Sequence, residues 1–255
     1  MSGVDKEFFE KYDMIWQVLH NIFDKSETES AKMFEAYDAA TEYVSDTYPH
    51  RKKEMYEALR DGKDSIYNCE AYKKWCYKKL LELNLHEVEA TCGGEFQSHD
   101  FSKTNIVSAG YCFYDARFWS KLGIKNIWLY ELDEEIRKIN WRLTDYVKED
   151  IKILGKTLDC VLDKDYLIKD VGLHINFNCE KYYHMKEAIK KEEYPSECVF
   201  VFCGSSLKYN GPGTIGNGNI NICDTLDDFI ETLPNMNILF KDTMNDKHMV
   251  IGCLE

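Results

Sequence analysis

The chain has no CxxC or HxxxH pair, no long apolar run and no basic excess. Each absence excludes something. Without thiols or imidazoles paired at ligand spacing, no structural zinc site is expected. Of the ten cysteines, Cys198 and Cys203 lie at the two ends of a single apolar run, and Cys69 and Cys76 share one helical face. Reduced, buried thiols fit that placement better than a disulfide framework. No apolar run approaches the roughly 18 residues that cross a bilayer, and the N-terminus lacks the charged-then-apolar form of a signal peptide. A soluble, cytoplasmic protein without a membrane partner is expected. The formal charge is −13, with 20 acidic against 13 basic residues in positions 1–95 and 25 against 19 in positions 96–255. Such a surface offers phosphates no extended basic face, so nucleic acid is not an expected partner. There is also no phosphate loop, no Ser-His-Asp arrangement, no repeat and no low-complexity tract.

What is present falls into two regimes. The first 85 or so residues carry helical spacing. Phe8, Tyr12, Ile15, Trp16, Leu19, Ile22 and Phe23 form one stripe, and Ser26-Glu27-Thr28-Glu29 fits a capping box before the next. Phe34, Tyr37, Ala40 and Val44 continue it to a break at Tyr48-Pro49. Met55 and Leu59 mark a shorter helix, and Tyr72, Cys76, Leu80 and Leu83 a fourth. The cluster Lys73, Lys74, Lys78 and Lys79 reads as the solvated side of that fourth helix, with an anion contact as the sharper alternative. The expected division is a helical N-terminal domain or cap, residues 1–95, and a second domain, residues 96–255.

Residues 92–103, "CGGEFQSHDFSK", read as a polar loop, after which the pattern changes. Ile106–Ala109, Ile127–Tyr130, Leu158–Leu162, Leu173–Phe177 and Val199–Phe202 read as strands. Ala116–Leu122, Glu134–Val147 and Tyr182–Lys190 read as helices between them. This alternation predicts βαβ units and a mostly parallel, Rossmann-like α/β sheet. Ile238–Phe240 and Met249–Ile251, either side of Asn245-Asp246, predict a C-terminal antiparallel hairpin.

The first βα turn is the usual ligand site of such a sheet. Here it reads Ser108-Ala109-Gly110 and then Tyr111-Cys112-Phe113-Tyr114. A single glycine followed by bulky side chains suits a pyrophosphate poorly, since that group needs close backbone approach along the whole turn. S-adenosylmethionine has no phosphate. It needs one close approach for its methionine part and a carboxylate for its ribose diol. Glu131, at the end of the second apolar run and 21 residues past Gly110, sits at the spacing that dinucleotide folds use for their ribose acid.

Further on, "VGLHINFNCEKYYHM", "CVFVFCGSSLKYNGPG" and the terminal "MVIG" strand follow in order. With "LGIKNIWLYELDEE", they resemble the class I S-adenosylmethionine-dependent methyltransferases, over residues 104–255. The likeness is to a phage and bacterial subgroup with an Asn-x-x-Cys-Glu-like signature after the fourth strand. The first motif departs from the common pattern in lacking its second and third glycines. The resemblance implies that Ser108, Ala109 and Gly110 line the methionine part, Glu131 bonds the ribose and Leu132 lies against the adenine. Asp163, with Asp165 as rival, accepts from the adenine amino group. Asn178, Cys179 and Glu180 lie beside the methyl, and Glu180 or His184 serves as base. Plainer readings stand beside these: Asn178 as a helix cap, Cys179 as a buried thiol, His184 on a helix face. The implied activity is methyl transfer to a small-molecule or protein acceptor, with the glycine-rich loop Gly204–Asn219 closing over it. Two alternatives are an aminocarboxypropyl transferase resembling nicotianamine synthase, and a non-catalytic binder of the same cofactor.

Overall fold

The computed structural model describes residues 39–59, 69–85, 90–92, 95–97, 99–107, 110, 115–145, 151–157, 167–179, 185–206 and 222–255. The stripe from Phe8 to Phe23, the capping box at Ser26 and the run Leu158–Leu162 lie outside them, as do Ser108, Ala109, Asp163, Asp165, Glu180 and His184. Residues 39–47 form helix α1, followed by a 3-10 turn at Pro49–Arg51. Helices α2 (Lys52–Leu59) and α3 (Cys69–Leu83) follow.

Two short strands come next, β1 (Ala90–Cys92) and β2 (Glu95–Gln97), paired antiparallel with Ala90 opposite Gln97. Part of the predicted polar loop is therefore strand. Three-residue strands are too short to show a period in sequence.

The main sheet has seven strands: β3 (Lys103–Val107), β4 (Asn126–Glu131), β5 (Lys152–Thr157), β6 (Leu173–Asn176), β7 (Val199–Ser205), β8 (Met236–Met244) and β9 (Lys247–Leu254). Their order is β5-β4-β3-β6-β7-β9-β8. Pairs from β5 through β7 are parallel, and β9 runs antiparallel to both β7 and β8. The predicted mixed sheet and C-terminal hairpin are present. Met244 pairs with Lys247 across a two-residue turn, and Asn245 takes φ +56, the left-handed conformation that asparagine tolerates there.

The run Leu158–Leu162 lies outside the described residues; the strand that pairs with β4 is Lys152–Thr157, which the sequence reading did not place. Among the described residues it is an edge strand with one paired neighbour, and four of its six residues are exposed. "KILGKT" therefore lacks the unbroken apolar run that marks an inner strand such as β7, all seven residues of which are buried.

Helices α4 (Asp115–Lys121), α5 (Glu134–Asp145), α6 (Met185–Ala188) and α7 (Leu226–Thr232) make the crossovers. Thr225 caps α7 by accepting from the Asp228 N–H at 3.1 Å. Gly123, at φ +73, ends α4 with the Ile124 N–H returning to the Trp119 carbonyl at 2.9 Å.

Side chains alternate between two cores. Ile106, Ile127, Leu129, Ile175, Val199 and Val201 face one side, together with Trp119 of α4 and Tyr72, Cys76, Tyr77 and Leu80 of α3. Val107, Tyr130, Phe200, Phe202 and Val250 face the other, against Phe229 of α7. Helix α3 is thus part of the sheet's own core. At roughly 1.5–3 kcal/mol for each large apolar side chain taken out of water, that docking outweighs the helix propensity of a segment rich in aromatics. Six described cysteines (76, 179, 198, 203, 223 and 253) are buried free thiols. No described helix is long and apolar enough to cross a membrane.

His174 on β6 is fully enclosed, its ring 5.4 Å from that of Phe200 and 5.7 Å from that of Tyr194. Burial, assisted by the Lys169 ammonium, lowers its pKa to about 3. The unfolded chain, with an ordinary histidine near 6.5, binds the proton first as pH falls. Stability is therefore complete above about pH 6.5 and is lost progressively from there towards pH 3. By that linkage the wild-type protein should lose about 2 kcal/mol more than His174→Gln between pH 7.5 and 5.0. Parallel urea titrations at the two pH values measure the difference; equal losses would show that His174 is not the group responsible.

Candidate functional site

The strand order reverses between β3 and β6. From β3 the chain moves outward through β4 to β5, then returns to β6 on the other side. In open sheets of this kind the ligand crevice lies at such a point, beyond the carboxyl ends of the strands. Val107 pairs with Asn176 and with Tyr130, so Gly110, Glu131 and Phe177–Asn178 all emerge at the same end.

Gly110 holds the first turn at φ +56, a conformation that costs other residues roughly 1–2 kcal/mol. Both of its backbone polar groups are bound. Its N–H donates to Glu131 Oε2 at 2.9 Å, and its carbonyl accepts from the Asn140 side-chain amide on α5. The pair read from sequence spacing is thus in direct contact. Glu131 Oε1 takes a second, longer bond from the Asp133 N–H at 3.3 Å. A carboxylate has about four acceptor positions, so Glu131 keeps capacity for two further donors, such as those of a vicinal diol. Leu132 follows with 45% of its surface exposed, an apolar face beside that carboxylate.

The second turn is fixed from below and from the side. Asp133 Oδ1 accepts from the Glu135 and Ile136 N–H groups at 2.9 and 3.2 Å and so caps α5. Its other oxygen pairs with Arg51 of the 3-10 turn. Arg51 also bonds Glu135 at 2.7 Å and Glu54 at 2.8 Å. The Arg51 guanidinium holds the Glu135 carboxyl below its usual range despite opposing desolvation. The helical segment is in this way tied to the turn after β4.

At the end of β6, Asn178 is half-buried and Cys179 buried. The helix start that Asn178 would cap lies outside the described residues. Asn176 braces the turn, its Oδ1 accepting the Asn178 N–H at 3.1 Å. The Asn178 Oδ1 lies 3.4 Å from the Tyr72 hydroxyl of α3. That hydroxyl also donates to the Phe177 carbonyl at 3.0 Å. Cys179 Sγ lies 3.7 Å from the Asn176 carbonyl.

Three contributors escaped the sequence reading. Asn140 is 1% exposed, and a polar residue one step past Ile136 and Ile139 in the buried stripe was its signal. Asn176 was taken simply as strand. Lys73 was grouped with the solvated face of α3, yet it is 1% exposed. Lys78 is exposed, and Lys79 pairs with Glu82. The clue was Tyr77, one turn beyond Lys73, which widens the buried stripe to include both.

No protein-family model and no curated protein matches the chain. Several solved structures resemble it at low identity. An S-adenosylmethionine-dependent methyltransferase from Clostridium acetobutylicum is 11% identical, with TM-score 0.45 over 83% of this chain and 99% of that one. A putative S-adenosylmethionine-dependent methyltransferase from Listeria monocytogenes is 10% identical, with TM-score 0.46 over 71% and 99%. MtNAS in complex with MTA and tNA is 9% identical, with TM-score 0.43 over 99% and 100%. The fold assignment rests on the strand order and register, not on these likenesses.

Gly110→Ala tests the turn. Among the described residues an added Cβ would meet only Lys73 Nζ, at an ordinary 3.8 Å, so the cost comes from the backbone. A loss of about 1–2 kcal/mol is expected in chemical denaturation. A variant as stable as wild type would mean that the turn relaxes out of the left-handed region.

Proposed function

We propose that the chain is an S-adenosylmethionine-dependent transferase, a methyltransferase acting on a small-molecule or protein acceptor. The hydrogen bond from Gly110 to Glu131, made between the ends of β3 and β4 beside the switch point of the sheet, carries the reading. It supports a site with one close backbone approach and one ribose carboxylate, and with no cradle for a pyrophosphate. The sheet order, with β9 reversed between β7 and β8, agrees with the class I resemblance.

On this reading Ser108, Ala109 and Gly110 line the amino-acid part of the cofactor. Glu131 accepts from the ribose hydroxyls, Leu132 covers one face of the adenine, and Asp163 accepts from its amino group. The cofactor supplies an activated methyl on a sulfonium; the chain's own residues position the acceptor and remove its proton. Asn178, steadied by Tyr72, orients an acceptor nitrogen or oxygen. Cys179 closes the turn next to the methyl. Glu180 or His184 takes the acceptor's proton.

Calorimetry with S-adenosylmethionine and S-adenosylhomocysteine is the direct test, with micromolar-range affinity expected. Glu131→Ala should weaken binding by about 1.5–3 kcal/mol, since charge-assisted bonds to the ribose are lost. Unchanged affinity would make Glu131 only a strut of the Gly110 turn. Release of S-adenosylhomocysteine during turnover marks methyl transfer, and release of methylthioadenosine marks aminocarboxypropyl transfer.

Asn178→Ala and Glu180→Gln should lower turnover by about 10- to 1000-fold and leave cofactor affinity within a few-fold, because both act on the acceptor. Full activity in both variants would remove this segment from the chemistry.

A further inference from the structure

We infer that Arg51, in the 3-10 turn of the N-terminal helical segment, is a positioning residue for the ribose carboxylate Glu131, so that docking of residues 39–59 and recognition of the ribose are coupled. The inference rests on the proposed cofactor and adds a residue outside the resemblance, which begins at residue 104. Each nitrogen of the guanidinium meets a different carboxylate. Nε donates to Glu135 Oε2 at 2.7 Å, Nη1 to Glu54 Oε2 at 2.8 Å, and Nη2 to Asp133 Oδ2. Glu54 belongs to α2, whereas Asp133 lies in the turn after β4 and Glu135 in the first turn of α5. One planar group thus joins two distant parts of the chain through charge-assisted bonds.

Asp133 carries the effect to Glu131. Its side chain is only 9% exposed, and its two oxygens have separate tasks. Oδ1 accepts the Glu135 and Ile136 N–H groups, while Oδ2 takes Arg51. The Asp133 N–H in turn donates to Glu131 Oε1 at 3.3 Å. Without the guanidinium, Oδ2 would be nearly out of water and without its cation, and the carboxylate would rotate towards a new donor. That rotation gives up the α5 cap and shifts the amide that braces Glu131. Leu132, between the two acids, moves with them. The neighbouring contacts are of a kind that can release. The Arg142 guanidinium of α5 lies 5.2 Å from the centroid of the Tyr43 ring of α1, and His50 Nε2 lies 2.9 Å from Glu135 Oε2. Ala40, Val44 and Met55 are buried, yet they belong to neither core of the sheet. Polar and aromatic contacts form and part at less cost than an apolar core does. A coupling that helps the ribose bind must, by linkage, help the segment dock.

Matched ligands read this coupling without an acceptor. In wild-type protein, S-adenosylhomocysteine should bind about 10- to 100-fold more tightly than its 2′,3′-dideoxy analogue, which lacks the diol. Arg51→Met should cut that preference by about 5-fold or more and leave the affinity for the dideoxy ligand within about 2-fold. Arg51→Lys, which keeps the charge but not the planar fork, should restore part of the preference. Hydrogen exchange in wild type gives the reciprocal measurement. Saturating S-adenosylhomocysteine should slow exchange across Lys52–Leu59 by about 3-fold or more, and the dideoxy ligand at saturation should not. An undiminished preference in Arg51→Met, or equal weakening of both ligands, overturns the inference and leaves Arg51 a structural cation. Should the variants not fold, exchange across Lys52–Leu59 that ignores the diol overturns it in the same way. If wild type binds neither ligand, or binds both equally, the proposed ribose site itself fails, which the wild-type titrations alone reveal.

Discussion

The hydrogen bond between the Gly110 N–H and the Glu131 carboxylate is the constraint on which the crevice depends. It joins the turn after β3 to the turn after β4, at the end of the sheet where the order reverses. Each partner is separately held: Gly110 by Asn140 of α5, and Glu131 through the Asp133 N–H. Asp133 in turn caps α5, so one helix governs both sides of the contact. A displacement of α5 would therefore move the two turns together, and the spacing between them would survive. That coupling gives a shallow crevice a fixed width without the successive glycines of a dinucleotide fold.

Much of this was legible because burial leaves a period in the sequence. The inner strands β4 and β6 carry runs that alternate or stay apolar and were found within one residue of their limits; β7 and the C-terminal pair were found by their apolar centres, and β3 was placed late, overlapping at Ile106–Val107. The strand β5 was not read at all, because an edge strand has one wet flank and needs no apolar run. Gly110 and Glu131 were found because a βα unit fixes the distance along the chain between the ends of adjacent parallel strands. Lys73 and Asn140 were not, because their roles come from which way a helix faces. A stripe drawn through Tyr72, Cys76 and Leu80 leaves Lys73 on its margin, and only Tyr77 shows that the margin is buried.

The charge pattern points the same way. A chain with an acidic excess of 13 gains little from scattered lysines, and Lys79, paired with Glu82 on the surface, contributes little to stability. Lys73 differs because it is enclosed. Near it, Lys247 at the start of β9 lies 5.0 Å over the Tyr72 ring. The Lys73 ammonium lies over the neighbouring Phe177 ring, 5.6 Å from its centroid.

The rotation of α3 is what makes these contacts a single unit. Successive residues of a helix project about 100° apart, and Tyr72 and Lys73 use that angle to address two neighbouring strand ends. Tyr72 donates to the carbonyl of Phe177, beyond β6, while Lys73 lies beside Gly110, beyond β3. Turning the helix by one residue would break both contacts at once and would drive Tyr77 out of its stack on Phe118, where the rings are 5.4 Å apart. The Trp119 indole N–H, which donates to the Tyr77 hydroxyl at 3.0 Å, would lose its acceptor as well. A buried indole N–H without an acceptor costs about 1–3 kcal/mol, so the core itself sets the phase of α3. The same packing that holds the helix on the sheet therefore fixes where Tyr72 and Lys73 meet the two strand ends.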